Sequence, residues 1–476
     1  MRAPVGPLAY AGRRRARFLA ELKEFVRFPS VSSLPQHSAD VARCAAWLAA
    51  RLRQAGLERV QVVPTGGHPI VWGEFEASPE RPTILVYGHY DVVPPGSPGQ
   101  WRTPPFEPTV RGGSLYGRGA CDDKGQMFAH VKALESYLGS GAPLPVNVKC
   151  LFEGEEEIGS PNLAAFVARN RKALSADAAV ISDTRMLGPG RPAISYSQRG
   201  VLSLEWEVRG PGQELHSGNF GGAVHNPLQA LSEMIAGLHD ERGRIAIPGF
   251  YDGVREWSER ERDYMRRTGP GDRAILRDAK ANRGWGEEGY SLYERTTIRP
   301  SLTVSGITGG HQGPGVKAAI PAKATAKLSF RLVPDQDPGE IERLVRGHIE
   351  RITPPTVKSE VRFLARAHPA VVDRRHAALE SARLAYRGGF GSPAVFTRSG
   401  GTIPVVNTFH ESLGIPTVLM GFGLPDDRIH APNEKFRLRN FFGGIATSIW
   451  FLAAAGARLG RSHAATEPEW SLAHDH

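Results

Sequence analysis

The feature of this sequence that most limits its fold is a series of five short apolar runs, each followed closely by histidine or carboxylate residues. Apolar residues at helical spacing lie between some of these runs, as at residues 127–138. Apolar strands that alternate with helices are typical of a parallel sheet covered by helices. We therefore predict an α/β fold, with a mostly parallel sheet and helices on both faces. The runs are residues 84–88, 115–119, 148–152, 179–182 and 417–420.

The polar residues after these runs predict a metal site. Ligands of open α/β sheets bind beyond the carboxyl ends of the strands, and carboxylates gathered there repel one another unless a positive charge lies between them. Imidazoles and carboxylates without cysteine suit a catalytic Zn²⁺ or Mn²⁺. The set is too large for one tetrahedral ion, whereas two ions about 3.5–4 Å apart would use it all. The residues are His89, Asp91, Asp122, Asp123, Glu153, Glu155, Glu156, Glu157, Asp183, Asp426, Asp427 and His430.

Each motif taken alone also has a structural interpretation. A single histidine after a strand is more often structural than a ligand. The pair Asp122 and Asp123 can cap a helix that begins at Lys124, because carboxylates favour helix N-termini. The glutamates at 155–157 can form a solvated run, although such a run rarely lies between an apolar strand and Gly-Ser. The coincidence at all five runs favours a di-metal hydrolase.

Motifs of other enzyme classes are missing from the sequence. It has no HExxH zinc motif, no GxxxxGK[ST] phosphate loop and no GxSxG nucleophile elbow. One GxGxxG, at Gly284, Gly286 and Gly289, follows a charged segment instead of an apolar strand and is interpreted as accidental. The three cysteines include no CxxC pair, which suggests a reducing compartment.

A second domain is predicted inside the first. Two helices open the chain, and Gly56 ends the second. Residues 201–208 and 327–333 then alternate between apolar and polar, as antiparallel strands with one solvated face do. A helix begins at Asn226-Pro227 and another spans 340–352, while 240–300 is interpreted as an irregular excursion. The predicted domains are a catalytic domain of residues 1–198 and 369–476 and an inserted α+β domain of residues 199–368.

Charge and hydropathy bear on partners. The formal net charge is +10, but the basic residues are spread along the chain without a nucleic-acid-binding motif, so nucleic acid is not expected as a partner. The longest apolar stretch, residues 441–456, is short of a membrane span and is interpreted as a buried helix. We therefore expect no membrane partner and a cytoplasmic location. The polar tail at residues 462–476 is expected to be frayed.

Several segments resemble the motifs of the M20 family of co-catalytic metallopeptidases, most of all its cytosolic non-specific dipeptidase and carnosinase-like branch. They are GHYDVVPPG, GRGACDDKG, FEGEEEIGS, ISDT and DDRIHAPNEK. The resemblance extends over nearly the whole chain, including ELHSGNFGGAVHNP, FRLVPDQDP and TRSGGTIPV around the inserted domain.

The resemblance implies a role for each polar residue of the site. Asp122 would bridge two ions, and Glu156 would be the general base that acts on a bridging water. Asp91 would orient His89, and Glu155 would be the extra glutamate of its run. A cis peptide bond is implied between Asp122 and Asp123, and Cys121 is expected to be structural. The implied ligands are His89, Asp122 and Asp183 for one ion, and Asp122, Glu157 and His430 for the other.

Further residues are implied to bind the substrate. His216 would stabilise the oxyanion in the active site of a partner subunit, which makes a homodimer the expected assembly and the inserted domain a lid and dimerisation domain. Arg331 would bind the C-terminal carboxylate of the substrate, and Arg398 and Gly400 would line the same subsite.

These inferences predict a di-metal hydrolase that cleaves dipeptides or short peptides. Its cofactors would be two divalent ions per subunit, with Zn²⁺ preferred over Mn²⁺. An N-acyl-amino-acid deacylase is the alternative within enzymes, since only the pocket would differ. A non-catalytic binding protein would be expected to have lost a ligand or the base, and none is lost. A nucleic-acid binder would rest on the +10 charge alone.

Overall fold

The computed structural model describes residues 3–459, so the tail at 462–476 lies outside the described residues. The strands are β1 (Arg59–Val63), β2 (Ile70–Phe75), β3 (Thr83–His89), β4 (Thr109–Arg111), β5 (Ser114–Tyr116), β6 (Asn147–Glu153), β7 (Ala178–Ile181), β8 (Ala193–Gln198), β9 (Gly200–Arg209), β10 (Leu215–His216), β11 (Ser301–Gly309), β12 (Ala319–Ile320), β13 (Lys323–Leu332), β14 (Lys358–Ala367), β15 (Ala370–Val371), β16 (Val395–Ser399), β17 (Thr417–Leu419) and β18 (Lys435–Arg437).

The described residues also form helices. They are α1 (Val5–Arg13), α2 (Arg15–Arg27), α3 (Ser38–Ala55), α4 (Lys124–Gly139), α5 (Leu163–Arg169), α6 (Arg171–Leu174), α7 (Ser217–Phe220), α8 (Pro227–Ala236), α9 (Glu259–Thr268), α10 (Asp272–Ala279), α11 (Leu292–Thr297), α12 (Pro338–Ile352), α13 (Ala377–Phe390), α14 (Pro404–Leu413) and α15 (Leu438–Leu459). Short 3-10 turns occur at Pro35–His37, Pro98–Gln100 and Glu156–Ile158.

The chain forms two compact units. Unit 1 contains the described residues up to Tyr196, Val372–Thr397, and the described residues from Thr408 onward. Unit 2 contains Ser197–Val371 and Arg398–Asn407.

A nine-stranded sheet organises unit 1. Its order is β1-β2-β6-β3-β7-β17-β8-β15, with β16 also paired to β8. The strands β6, β3, β7 and β17 are mutually parallel neighbours, and antiparallel strands flank them on both sides. Most of their side chains are buried, as expected for parallel strands covered by helices. The predicted α/β fold is confirmed.

The predicted strand at 115–119 belongs elsewhere. The strand β5 pairs antiparallel with β4 and β18 in a separate three-stranded sheet, so it does not extend the central sheet. The expectation that all five motifs follow strands of one sheet is therefore wrong for the Asp122 motif. Three-residue strands such as β5 leave too little periodicity in the sequence to distinguish the two sheets.

Unit 2 is built on an antiparallel sheet in the order β11-β13-β9-β14. Strand β9 alternates buried and half-buried residues along its length, as its sequence pattern predicts. Helices α8 and α12 contribute to a shared core with Trp206. The predicted helix start is confirmed, because the Asn226 side chain accepts a hydrogen bond from the Leu228 N–H at 2.9 Å. The strands β10 and β12 form a separate two-stranded ribbon.

The region 240–300 is more regular than expected. It contains α9, α10 and α11, and α11 begins with a capping box in which Ser291 and Glu294 exchange hydrogen bonds. The prediction of an irregular excursion is wrong. It rested on the high charge of the segment and overlooked residues that cap helices, such as Ser291.

Helix α15, in unit 1, is long and apolar enough to cross a membrane, but most of its apolar stretch is buried inside the protein. Core helices share those properties, and the prediction of a buried helix is confirmed.

Candidate metal centre

Four neighbouring strands carry polar side chains to one edge of the central sheet. His89 is the last residue of β3, and Asp183 follows β7. Glu156 and Glu157 lie in the 3-10 turn that follows β6, and His430 lies in the loop that follows β17. Because these four strands are parallel neighbours, their carboxyl ends meet at the same edge.

Asp122 reaches this edge by another route. It lies between β5 and the N-terminus of α4, with Asp123 at the N-cap position. The peptide bond between Asp122 and Asp123 is cis, which confirms that prediction. Asp122 is nearly buried, and its two carboxylate oxygens face different histidines.

Two groups of ligand-type side chains share Asp122. In the first, His89 Nε2 lies 3.1 Å from Asp122 Oδ1 and 3.9 Å from Asp183 Oδ2. In the second, His430 Nε2 lies 2.9 Å from Asp122 Oδ2 and 3.2 Å from Glu157 Oε2. Within each group the ligand atoms lie within 4.8 Å of one another. Each group could therefore hold one metal ion, with Asp122 common to both.

The electrostatics of these groups show crowded negative charge. Burial and the nearby Asp122 raise the pKa of Asp183 to about 7. Burial raises the pKa of Glu156 to about 8. The positive charge of a protonated His89 opposes this rise, and the negative charge of Asp183 adds to it. Hydrogen bonds to Asp122 and Glu157 raise the pKa of His430 to about 10. Near neutral pH, Asp183 and Glu156 are therefore partly protonated and His430 is positively charged when no other cation lies between the carboxylates.

The carboxylate of Asp91 holds the turn that carries Glu156. Its Oδ1 lies 3.3 Å from His89 Nδ1, which leaves Nε2 of that ring facing Asp122. The same carboxylate accepts the backbone N–H groups of Glu156 and Glu157 at 3.2 and 3.1 Å. Asp91 therefore orients His89 of the first group and also the turn that carries Glu157 of the second group. The sequence did not reveal the contact with this turn.

The three glutamates of the run at 155–157 point to different partners. Glu155 is buried and accepts hydrogen bonds from the His68 N–H and from Asn162. Glu157 lies with Asp122 and His430. Glu155 therefore holds the surrounding loops together. Glu157 belongs to the second ligand group, and Glu156 lies close enough to Asp122 and His89 to interact with their charges.

Comparison with known proteins identifies the family. A model of peptidase family M20/M25/M40 matches residues 85–452. The chain belongs to this family. The Cys-Gly metallodipeptidase of Candida albicans is 32% identical over 466 residues, which cover 91% of this chain and 93% of that protein.

Solved structures agree with this assignment. The crystal structure of human carnosine dipeptidase 1 superposes with a TM-score of 0.81 at 30% identity, over 95% of this chain and 98% of that one. An M20 family metallo-carboxypeptidase from Sulfolobus solfataricus superposes with a TM-score of 0.83 at 31% identity, over 92% and 99% of the two chains. This M20 chain is therefore a metallopeptidase.

The remaining predicted site residues of the M20 chain lie in unit 2. His216 is exposed on the two-stranded ribbon, and its Nδ1 accepts the Gly218 N–H at 3.0 Å. In the neutral ring, Nε2 then carries the proton and is the hydrogen-bond donor.

Arg331 of the M20 chain is half-buried on β13, on the face opposite Leu328 and Phe330. Its Nη1 donates to Thr402 Oγ1 at 2.9 Å, and that hydroxyl donates to the backbone oxygen of Arg199 at 2.5 Å. Burial and the charge of Arg331 lower the pKa of Arg199 to about 9. Within residues 3–459, neither guanidinium forms an ion pair with a carboxylate, so this pair suits an anion. The sequence patterns did not single out Arg199.

Arg398 lies near the end of β16 and Gly400 directly follows that strand, and both belong to unit 2. The Arg398 guanidinium is buried against Trp257 and donates to Glu261 at 3.0 Å. Gly400 accepts a hydrogen bond from Arg199 Nε at 3.0 Å. A side chain at position 400 would collide with the Thr296 carbonyl, so glycine is required for this close approach.

Cys121 is buried beside Asp122, and its Sγ lies 3.5 Å from Asp427 Oδ2. Burial and the charge of Asp427 raise the pKa of its thiol well above the usual value. It is not part of either ligand group among residues 3–459. The expectation of a structural cysteine agrees with this environment.

Proposed function

We propose that this M20 metallopeptidase hydrolyses the amide bond of dipeptides or short peptides with two divalent ions per subunit. The observation that carries the proposal is the pair of ligand groups that share Asp122, with Glu156 beside them. Two named relatives, the Cys-Gly metallodipeptidase and the Beta-Ala-His dipeptidase, support dipeptides as the substrate class.

The donor set fits divalent ions. Each group offers one imidazole and two carboxylates, a combination that suits Zn²⁺ or Mn²⁺, and we propose Zn²⁺. The proposed ligands are His89, Asp122 and Asp183 for one ion, and Asp122, Glu157 and His430 for the other. The crowding of buried carboxylates supports the fit, because cations would offset a repulsion that raises the pKa of Asp183 to about 7.

The chain supplies a base and its orientation. When bound, two such ions would supply Lewis-acid chemistry: they would lower the pKa of a nearby water and polarise the carbonyl group of the substrate. Glu156 accepts the proton of the attacking water and returns it to the leaving amine. Asp91 holds Glu156 in place through the backbone N–H groups of the turn.

Substrate binding is assigned to unit 2. Arg331 is proposed to bind the C-terminal carboxylate of the peptide, since a guanidinium matches a carboxylate and no carboxylate of residues 3–459 pairs with it. Arg398 and Gly400 shape the same subsite by holding the backbone at 398–402. His216 donates from Nε2 to the oxyanion formed in the partner subunit of a homodimer.

The expected domain plan becomes part of this proposal. The inserted domain, predicted as residues 199–368, would act as the lid and dimerisation domain of a cytoplasmic enzyme. Its sheet has two edge strands, β11 and β14, with exposed apolar residues such as Ile307 and Leu364 that a second subunit would cover.

A substrate panel tests the proposal. Purified protein is analysed for metal content and assayed with free dipeptides and with N-acetyl amino acids. We expect two divalent ions per chain and faster hydrolysis of the dipeptides. Faster hydrolysis of the N-acetyl amino acids would make the enzyme a deacylase on the same scaffold. A protein that binds divalent ions but cleaves neither class would refute the proposed substrates.

A further inference from the structure

Glu434 is a buried carboxylate that connects two ligand-bearing loops of unit 1. It lies four positions after His430 and is fully buried. Each of its carboxylate oxygens accepts two hydrogen bonds. Oε2 accepts from Arg118 Nη1 at 2.7 Å and from the Gly119 N–H at 2.9 Å, and Oε1 accepts from the N–H groups of Cys121 and Asp122 at 2.8 and 3.1 Å.

These contacts fix the backbone that presents Asp122. Three backbone N–H groups of the 118–122 loop, those of Gly119, Cys121 and Asp122, donate to this one side chain. In addition, the backbone oxygen of Glu434 accepts the Gly117 N–H at 3.1 Å. The position of the carboxylate shared by both ligand groups therefore depends on a residue from the other end of the sequence.

The loop that carries His430 also requires such support. Arg428, His430 and Asn433 all have left-handed backbone conformations, with φ of 60°, 59° and 64°. Residues other than glycine remain in this region only when surrounding contacts hold them there. The Asn433 side chain accepts the Arg102 N–H at 2.8 Å, and Glu434 anchors the end of the loop.

We infer that Glu434 is a positioning residue that locks the Asp122 loop against the His430 loop, so that the two metal-binding groups form together. The inference rests on the proposed metal centre and concerns affinity for the ions. A merely structural ion pair with Arg118 would stabilise the fold without affecting metal affinity, and this difference makes the inference testable.

The substitution Glu434→Gln separates the two roles. It keeps the volume of the side chain but removes its charge, and its NH₂ group faces N–H donors whichever way the amide is oriented. Glu135→Gln is the matched control. Glu135 is also buried and ion-paired, with Lys132 at 2.7 Å and with Arg17, but the partners that the structure gives it lie outside the ligand-bearing loops.

The measurement is a titration of metal-free protein with Zn²⁺ in competition with a chromophoric chelator, together with thermal unfolding of the metal-free proteins. We expect Glu434→Gln to weaken Zn²⁺ binding by about 10–100-fold, the usual effect of losing a partner that orients metal ligands. We expect Glu135→Gln to lower the unfolding temperature and leave Zn²⁺ affinity unchanged.

Wild-type affinity in Glu434→Gln, or an equal loss in Glu135→Gln, would overturn the inference. If Glu434→Gln does not fold without metal, the same titration is made on Glu434→Asp, which keeps the charge but is one methylene shorter. Affinity of that variant within about twofold of the wild type, well below the loss expected for such a partner, would also overturn it. Failure of the wild type to bind Zn²⁺ would instead refute the proposed metal centre.

Discussion

The two units of this M20 metallopeptidase concentrate charge of opposite sign. Unit 1 gathers carboxylates around Asp122, and burial together with Asp122 raises the pKa of Asp183 to about 7. Unit 2 places Arg199 directly before β9 and Arg331 on the adjoining strand β13, and burial together with Arg331 lowers the pKa of Arg199 to about 9. In each case burial, together with a like charge nearby, disfavours the charged form of the group.

The difference indicates which kind of ligand each unit is built to bind. Carboxylates with raised pKa values are stabilised by cations, and arginines with lowered pKa values are stabilised by anions. Unit 1 thus suits divalent metals, and unit 2 suits an anion, which we propose to be the carboxylate of the peptide. By contrast, the buried guanidinium of Arg299, also in unit 2, is paired with the carboxylate of Glu287 at 2.6 Å.

The largest expected effect tests the acidic unit. Glu156→Gln keeps the volume of the base but cannot accept a proton, so kcat should fall by about 10²-fold or more, while the metal content stays unchanged. Steady-state kinetics and metal analysis check this result. Glu155→Gln is the control, because Glu155 bonds to His68 and Asn162. Near-normal activity of Glu156→Gln would move the base to Glu155 or Glu157.

The second prediction tests whether His216 acts across subunits. Glu156→Ala and His216→Ala should each be nearly inactive alone. If they are co-expressed one to one, about half of the dimers are mixed and each has one complete site, so activity should recover to about a quarter of the wild type. Activity no greater than the sum of the two variants would place His216 in its own subunit's site or outside catalysis.

The third prediction tests the basic unit. Arg331→Met removes a charge-assisted hydrogen bond worth about 1.5–3 kcal/mol, so KM for dipeptides should rise by roughly 10–100-fold. Dipeptide amides, which have no C-terminal carboxylate, should be unaffected. Lys327→Met is the matched control, since Lys327 is an exposed cation on the same strand. An equal loss for dipeptides and their amides would contradict the assigned role of Arg331.

The smallest effect should come from Thr402, which connects the two arginines. Thr402→Val removes one neutral hydroxyl worth about 0.5–1.5 kcal/mol, so KM for dipeptides should rise by roughly 2–10-fold with kcat unchanged. Thr402→Ser keeps the hydroxyl and should behave like the wild type. A change confined to kcat in Thr402→Val would separate this residue from carboxylate binding.

The sequence predicted the features that local patterns encode. The strands β3 and β7 are apolar and lead directly to His89 and Asp183, so both the parallel strands and the edge where they end could be predicted. The alternation of β9 and the capping of α8 by Asn226 are also local signals. The end of α3 at Gly56 was predicted correctly, and its φ of 102° shows why glycine stands there.

The remaining features depend on contacts between distant parts of the chain. Helix α1 has no side-chain cap and contains Gly6 and Pro7, so its sequence gives little indication of a helix. Glu434 and Arg199 follow no motif that assigns them a role. Their significance comes from backbone groups far away in sequence, such as the Asp122 N–H, and a single sequence does not display such pairings.

The link between Glu434 and Asp122 has a consequence for synthesis of the enzyme. The two residues are 312 positions apart, and at about 5–20 residues per second a ribosome needs roughly 15–60 s to travel between them. For most of that interval the emerging chain has His89 and Asp183 but lacks the segment that contacts the Asp122 loop. On the inference made above, the Asp122 loop gains this anchor only after residue 434 has been synthesised, so the carboxylate shared by the two ligand groups is the last part of the proposed metal centre to be fixed.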